Sequence, residues 1–210
     1  MPDTELLSFL HISDLHFGVP PGHASPPPKS WRHLTWSDGW LGHDLRAISH
    51  LSDFVVAHPA LADQMVITGD MTCCGKPAEF TTATKYIQTT LKLPLGWAGL
   101  RHKTVLTRSI PGNHDHWPGS IRVLGRPHQT ALTQMFGTLP FKPWRVPLHG
   151  NRSLLVAGIN SDQDVWEFGP NRGLARGQFI SQLQALQAIL PAAPANEIRV
   201  LLVHHSPSWT

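Results

Sequence analysis

Thr104-Val105-Leu106-Thr107-Arg108-Ser109-Ile110 runs directly into Pro111-Gly112-Asn113-His114-Asp115, and the fold turns on how that junction is read. The first run is β-branched and apolar, the composition of a buried strand, and Pro-Gly halts it abruptly. Three polar side chains then stand at the strand's C-terminal edge, where open α/β sheets place their ligands. Asn113 offers an amide oxygen, His114 an imidazole and Asp115 a carboxylate. That supplies one metal ligand, one proton carrier and one orienting partner in consecutive positions. Alone, the stretch reads equally well as a polar turn. The rest of the chain decides.

Three other apolar runs finish in the same way. Residues 6–12 lead into Ser13-Asp14-Leu15-His16, residues 65–68 into Gly69-Asp70, and residues 198–203 into His204-His205. Each feature is weak singly: Asp14 can form a turn, His16 can pack in a core, Gly-Asp is a common turn pair, and a histidine after a strand is often structural. In one sheet, however, the ends of neighbouring strands lie side by side, so four such endings converge. In an extended segment residues i and i+2 point the same way, so Asp14 and His16 are predicted to grip one cation together. The donors are carboxylate, imidazole and amide with no thiolate in place, a set that favours Mn, Fe, Co or Zn. Two carboxylates, two imidazoles and one amide exceed the needs of one ion, and a pair of ions sharing a carboxylate is the economical arrangement. Two ions ~3.5–4 Å apart clamp a phosphoryl group, and a bridging water acidified by both becomes the nucleophile.

Between these runs the hydrophobic period changes from strand to helix. Leu45, Ile48, Leu51, Phe54 and Val55 recur at helical spacing, with Ser37 or Asp38 as a cap. Pro77 suits a first helical position, and Phe80, Ala83, Ile87 and Leu91 carry the next helical face. Residues 119–147 read as mixed helix and loop, followed by strands at 144–148 and 153–159. Phe179, Ile180, Leu183, Leu186, Ile189 and Leu190 mark an amphipathic helix before the last strand. Trp31, Trp36 and Trp40 are read as surface packing. Alternating strands and helices imply a layered α/β fold.

At 210 residues, this is a single domain spanning residues 1–210. The 17 basic and 14 acidic residues nearly balance. With no basic run to pair with aromatics, nothing points to nucleic acid. Adjacent Cys73 and Cys74 form no disulfide framework, and the start of the chain lacks a secretory signal pattern. No apolar run reaches the ~18 residues of a membrane helix. The expectation is a soluble, cytoplasmic protein with no membrane partner and a small-molecule substrate; the oligomeric state is not readable.

His11-Ile12-Ser13-Asp14-Leu15-His16-Phe17, Thr68-Gly69-Asp70, Pro111-Gly112-Asn113-His114-Asp115 and Val203-His204-His205 together resemble the calcineurin-like metallophosphoesterases. The block from Gly69 through Cys73-Cys74 to Phe80 looks closest to the cyclic-nucleotide and glycerophosphodiester phosphodiesterase branch. The resemblance implies a four-layer α/β/β/α sandwich with two mixed sheets around a dinuclear centre. By position, Asp14 and His16 would bind one ion, Asp70 would bridge, and Asn113 and His204 would bind the second, His204 matching better than His205. His114 would hydrogen-bond the phosphate alongside Asn113 and protonate the leaving oxygen, with Asp115 aiming its ring. The implied activity is hydrolysis of a small phosphomonoester or phosphodiester by a metal-bound hydroxide.

Two departures stand out. Cys73 takes a place where that branch commonly has Asp or Asn, so a hydrogen bond supporting the site is lost or replaced. The family's Gly-His-x-His motif, which gives one imidazole to each ion, is absent from these 210 residues. The resemblance therefore implies a chain without its last strands, two histidines short, with weakened metal binding. A non-catalytic scaffold that keeps the fold is the alternative, although scaffolds lose motif residues piecemeal and every earlier motif here is intact.

Overall fold

The computed structural model describes residues 7–18, 45–73, 75–102, 108–116, 129–138, 141–161 and 180–205. Its centre is a parallel sheet of three strands in the order β1 (Phe9–Ile12), β2 (Gln64–Thr68) and β5 (Ser109–Ile110). Met65, Val66 and Ile67 of β2 are all buried, as a central parallel strand covered on both faces requires. The period-2 alternation divides them. Met65 and Ile67 pack with Ile48 of α1 (Leu45–Ala57) and with Ala83, Tyr86 and Ile87 of α2 (Pro77–Gln88). Val66 faces the other way, into a second cluster with Ile110, Val146, Leu154, Val156 and Leu202.

That second cluster is the seam between two sheets. The partner sheet joins β6 (Trp144–Leu148), β7 (Arg152–Gly158) and β8 (Glu197–Leu202), with β6 antiparallel to β7 and β8 parallel to it. Pro147, which has no N–H to donate, sits on β6 at the border of the sheet. On the outer face of β7, Ala157 meets Leu186 of α5 (Ile180–Ile189). The order is helices, parallel sheet, mixed sheet, helix: the four-layer α/β/β/α sandwich, with one difference. Among the described residues the first sheet is wholly parallel rather than mixed, because α1 and α2 carry the crossovers between its strands.

Other expectations shift at the margins. Leu91 does not continue the α2 face. It begins a hairpin of β3 (Leu91–Leu93) and β4 (Gly96–Ala98), tied to α1 where Ser52 Oγ accepts the Gly99 N–H at 2.8 Å. Helix α2 starts as read, with Pro77 in its first turn and the Lys76 N–H donated to Glu79 Oε2 at 3.2 Å. Helix α4 (Gln129–Phe136) occupies part of the 119–147 stretch expected as helix and loop, and the polar residues after β5 form a short helix, α3 (Asn113–His116). Only Leu186 of the apolar α5 positions is fully buried; Ile180, Leu183 and Ile189 are exposed, as is Phe54 on α1. Residues 104–107, Ser37, Asp38, Phe179 and the tryptophans 31, 36 and 40 lie outside the described residues. Among the described residues no helix is long and apolar enough to cross a membrane.

The two sheets are in close contact at Gly158, where any Cβ would collide with Cγ2 of Ile110. Gly158→Ala overpacks this seam and is expected to destabilise the fold by about 1–3 kcal/mol, read as a lower urea midpoint at unchanged m-value. An unchanged midpoint would show that the seam is looser than this contact requires.

Candidate metal centre

The loops that follow β1, β2, β5 and β8 meet at one place, and backbone bonds join the first two. The Asp14 N–H donates to the Gly69 carbonyl at 3.2 Å, His16 N–H to the Asp70 carbonyl at 2.8 Å, and Phe17 N–H to the Met71 carbonyl at 2.8 Å. Asp14, His16 and Asp70 adopt φ of 58°, 46° and 51°, left-handed backbone that non-glycine residues hold only where the surroundings impose it. Asp14 and His16 are therefore brought together by turns and not by the extended i, i+2 geometry expected of the strand end.

Asp70 is the pivot. It is 3% exposed. Its Oδ1 accepts the His114 N–H at 2.9 Å, and its Oδ2 lies 3.6 Å from His16 Nε2 and 3.4 Å from His204 Nε2. Asp70 consequently belongs to two groups whose donor atoms all lie within 4.8 Å of one another, one with Asp14 and His204, the other with His16 and His114. The pairing differs from the sequence expectation, since Asp14 falls with His204 and His114 joins a ligand group. The groups also touch, because His16 Nε2 is 3.6 Å from Asp14 Oδ1. The donor set fits divalent ions. Separations of 3.4–3.6 Å are long for a hydrogen bond, whereas two ligands each ~2.1 Å from a tetrahedral ion stand ~3.4 Å apart.

Two of the imidazoles are aimed by a second bond. His204 Nδ1 donates to the Thr68 carbonyl at 2.7 Å, which turns Nε2 towards the carboxylates. His114 Nδ1 donates to the Cys73 carbonyl at 2.9 Å. The described bonds of Asp115 go elsewhere: its carboxylate accepts from the backbone N–H of Gly112, Met71 and Thr72 and from the Thr72 hydroxyl. The aiming expected of Asp115 is thus done by Cys73, and Asp115 pins the loop after β2 to α3. His205 stands apart from the carboxylates, its ring between Ser161 Oγ at 2.7 Å and Asn113 Oδ1 at 3.2 Å. Asn160 Nδ2 donates to His116 Nε2 at 2.9 Å. Asn160 and Ser161 were missed in the sequence, although they end the apolar run of β7 just as the other site residues end theirs.

The charges settle each other. Burial pushes the His204 pKa down, but the neighbouring Asp70 outweighs it and raises it to about 9. His16 is raised in the same way, Asp14 and Asp70 overcoming burial. The interaction with His16 holds Asp14 at about 2. Burial favours the neutral form of Asp70, yet His204, His114 and His16 keep its pKa below the usual range. Burial lowers His114, and burial with the charge of His204 takes His205 to about 4.

Two outcomes follow for the ion-free protein. The His204 pKa is raised above the usual 6.5, so its proton stabilises the empty site below pH 6.5 and is lost as pH rises through about 9. A divalent ion must displace that proton, so affinity is expected to climb by up to about tenfold per pH unit towards pH 9, measured by titration calorimetry in buffers of different ionisation enthalpy. A pH-independent affinity would exclude His204 as the displaced group. Separately, a Cβ on Gly112 would collide with the Asp70 carboxylate and lie 2.8 Å from His204 Nε2. Gly112→Ala should therefore abolish ion binding measured by elemental analysis, and retention at native affinity would contradict this packing.

The sequence profile of the calcineurin-like phosphoesterases matches residues 7–210, a span that takes in all four converging loops. No curated protein matches the chain. By this match over nearly its full length, the chain belongs to the calcineurin-like phosphoesterase family.

Proposed function

We propose that the chain is a metal-dependent phosphoric ester hydrolase with Asp70 shared between two divalent ions and with Asp14, His16, Asn113 and His204 supplying the other protein ligands. The observation that carries this reading is the single buried carboxylate of Asp70 lying between two imidazoles and belonging to both ligand groups. When bound, such ions supply Lewis acidity to the phosphoryl oxygens and acidify a water molecule; Mn, Fe, Co and Zn all suit the donor set.

The protein's own residues do the positioning and the proton transfer. His114, with Nδ1 held on the Cys73 carbonyl, presents Nε2 as its proton-carrying atom. Burial keeps the ring neutral without substrate. An anionic phosphoester beside it would raise its proton affinity, and the proton gained goes to the leaving oxygen. Asn113, at the start of α3, would contact the ester as well as an ion. The block from Gly69 to Phe80 favours a phosphodiester of the cyclic-nucleotide or glycerophosphodiester kind, and two adjacent cysteines, too few for a disulfide framework, suit a reducing, cytoplasmic setting. Since these 210 residues contain no Gly-His-x-His, ion affinity should be weak.

The test is hydrolysis of bis(p-nitrophenyl) phosphate and p-nitrophenyl phosphate by the chelator-treated chain, resupplied with each ion in turn. Turnover should require an ion and favour the diester. Asp70→Asn should lose both ions, and His114→Ala should lower kcat roughly 10²–10⁴-fold while still binding them. Two bound ions with no turnover of either ester would sink the hydrolase reading and leave a scaffold.

A further inference from the structure

The second histidine of the His204-His205 pair has a place of its own. His205 is 3% exposed and Ser161 is fully buried, and the atoms that join them leave little freedom in who donates. The His205 backbone N–H donates to Ser161 Oγ at 3.2 Å. That oxygen also lies 2.7 Å from His205 Nδ1, where a hydroxyl can either donate or accept, so the direction is set at the other nitrogen of the ring. A neutral ring that accepts at Nδ1 carries its hydrogen on Nε2. Nε2 lies 3.2 Å from Asn113 Oδ1, an atom that can only accept. The chain of bonds therefore runs in one direction, from the loop after β7, through the His205 ring, to the first residue of α3.

We propose that His205 is a positioning residue for Asn113: Ser161 fixes the His205 tautomer, and the Nε2–H holds the Asn113 amide with its oxygen turned towards the ion site. An amide oxygen has two lone pairs, so one can accept from His205 while the other remains for an ion. The inference rests on the reading of Asn113 as an ion ligand. It gives the two adjacent histidines different tasks: His204 faces the carboxylates, and His205 holds the ligand beside them. It also brings the second sheet into the site, because Ser161 follows β7.

Outer groups of this kind change metal affinity by about 10–100-fold. In Mn²⁺ titrations of the full chain followed by electron paramagnetic resonance, His205→Phe should weaken one of two binding steps by about that factor and leave the other unchanged. His205→Gln, whose amide can still donate to Asn113, should restore most of the loss. Ser161→Ala leaves the ring in place; it should weaken the same step several-fold and mix the two His205 tautomers in ¹⁵N spectra. In those spectra Zn²⁺ should leave the proton on His205 Nε2. Native affinity in both His205→Phe and Ser161→Ala would overturn the proposal, and so would loss of the Nε2 proton on Zn²⁺ addition, which would make His205 itself a ligand. Asn113→Ala separates the two levels: if it binds both ions normally, the ligand reading of Asn113 fails and takes this proposal with it. If it loses one ion while His205→Phe does not, only the proposal fails.

Discussion

Burying the Asp70 carboxylate is the constraint on which the rest of the site depends. An ionised carboxylate withdrawn from water costs several kcal/mol unless charges and hydrogen bonds offset the loss. At 3% exposure Asp70 cannot find those partners within its own loop. It takes the backbone N–H of His114 from the loop after β5, the His16 ring from the loop after β1 and the His204 ring from the end of β8. All must reach one carboxylate, which explains the left-handed backbone at Asp14, His16 and Asp70 and the glycines around it. At Gly69, with φ of 89°, a side chain would strike the His204 ring, and at Gly112 it would strike the Asp70 carboxylate itself.

A second carboxylate raises the stakes. Asp115 is fully buried, and burial together with the charge of Asp70 lifts its pKa to about 6, against the pull of the Gly112 and Thr72 donors. Two carboxyl groups at close quarters repel unless positive charge stands among them. Without ions, the proton on His204, whose pKa is raised to about 9, supplies such charge, and the upward shift of His16 acts in the same sense. A divalent cation would supply more, at the cost of that proton. The same electrostatic demand that raises the pKa of His16 and His204 suits the pocket to a divalent cation, so structure and chemistry share one cause.

The sequence yielded most of this because strand ends are local signals. A buried run stopped by Gly or Pro and followed by polar side chains can be recognised without knowing the partner strands, and the parallel order β1-β2-β5 aligns those ends automatically. What was hidden depended on tertiary contact. Leu91 sits in a hairpin because Gly99 docks on Ser52 of α1, a contact with no local signature. Asp115 pins loops where it was expected to aim His114, because the competing partners, Met71 and Thr72, are distant in sequence. The apolar period of α5 predicted a buried face, but period alone does not say what covers it, and Ile180 is 76% exposed. Ser161 was legible by the strand-end rule and was passed over, because a serine after a strand carries little weight until the His205 ring is seen against it.

Cys73 shows how one of the two departures from the expected pattern is absorbed. A carboxylate or amide at this position could hold the neighbouring histidine by its side chain. Here the work is divided: the thiol donates to the His16 carbonyl at 2.8 Å, and the Cys73 carbonyl takes the His114 Nδ1–H. The Cys73 N–H, in turn, donates to the Phe17 carbonyl at 3.0 Å, extending the parallel bridge between Phe17 and Thr72. The geometry is thereby kept, but the electrostatics are not. A carbonyl orients an imidazole without the full negative charge that would stabilise its protonated form, so burial decides and the His114 pKa falls. His116, two residues along the same short helix, meets Asn160, again a neutral partner. On the proposed reading, an arriving anionic substrate would supply the charge that protonates His114, a response that a fixed carboxylate partner would not allow.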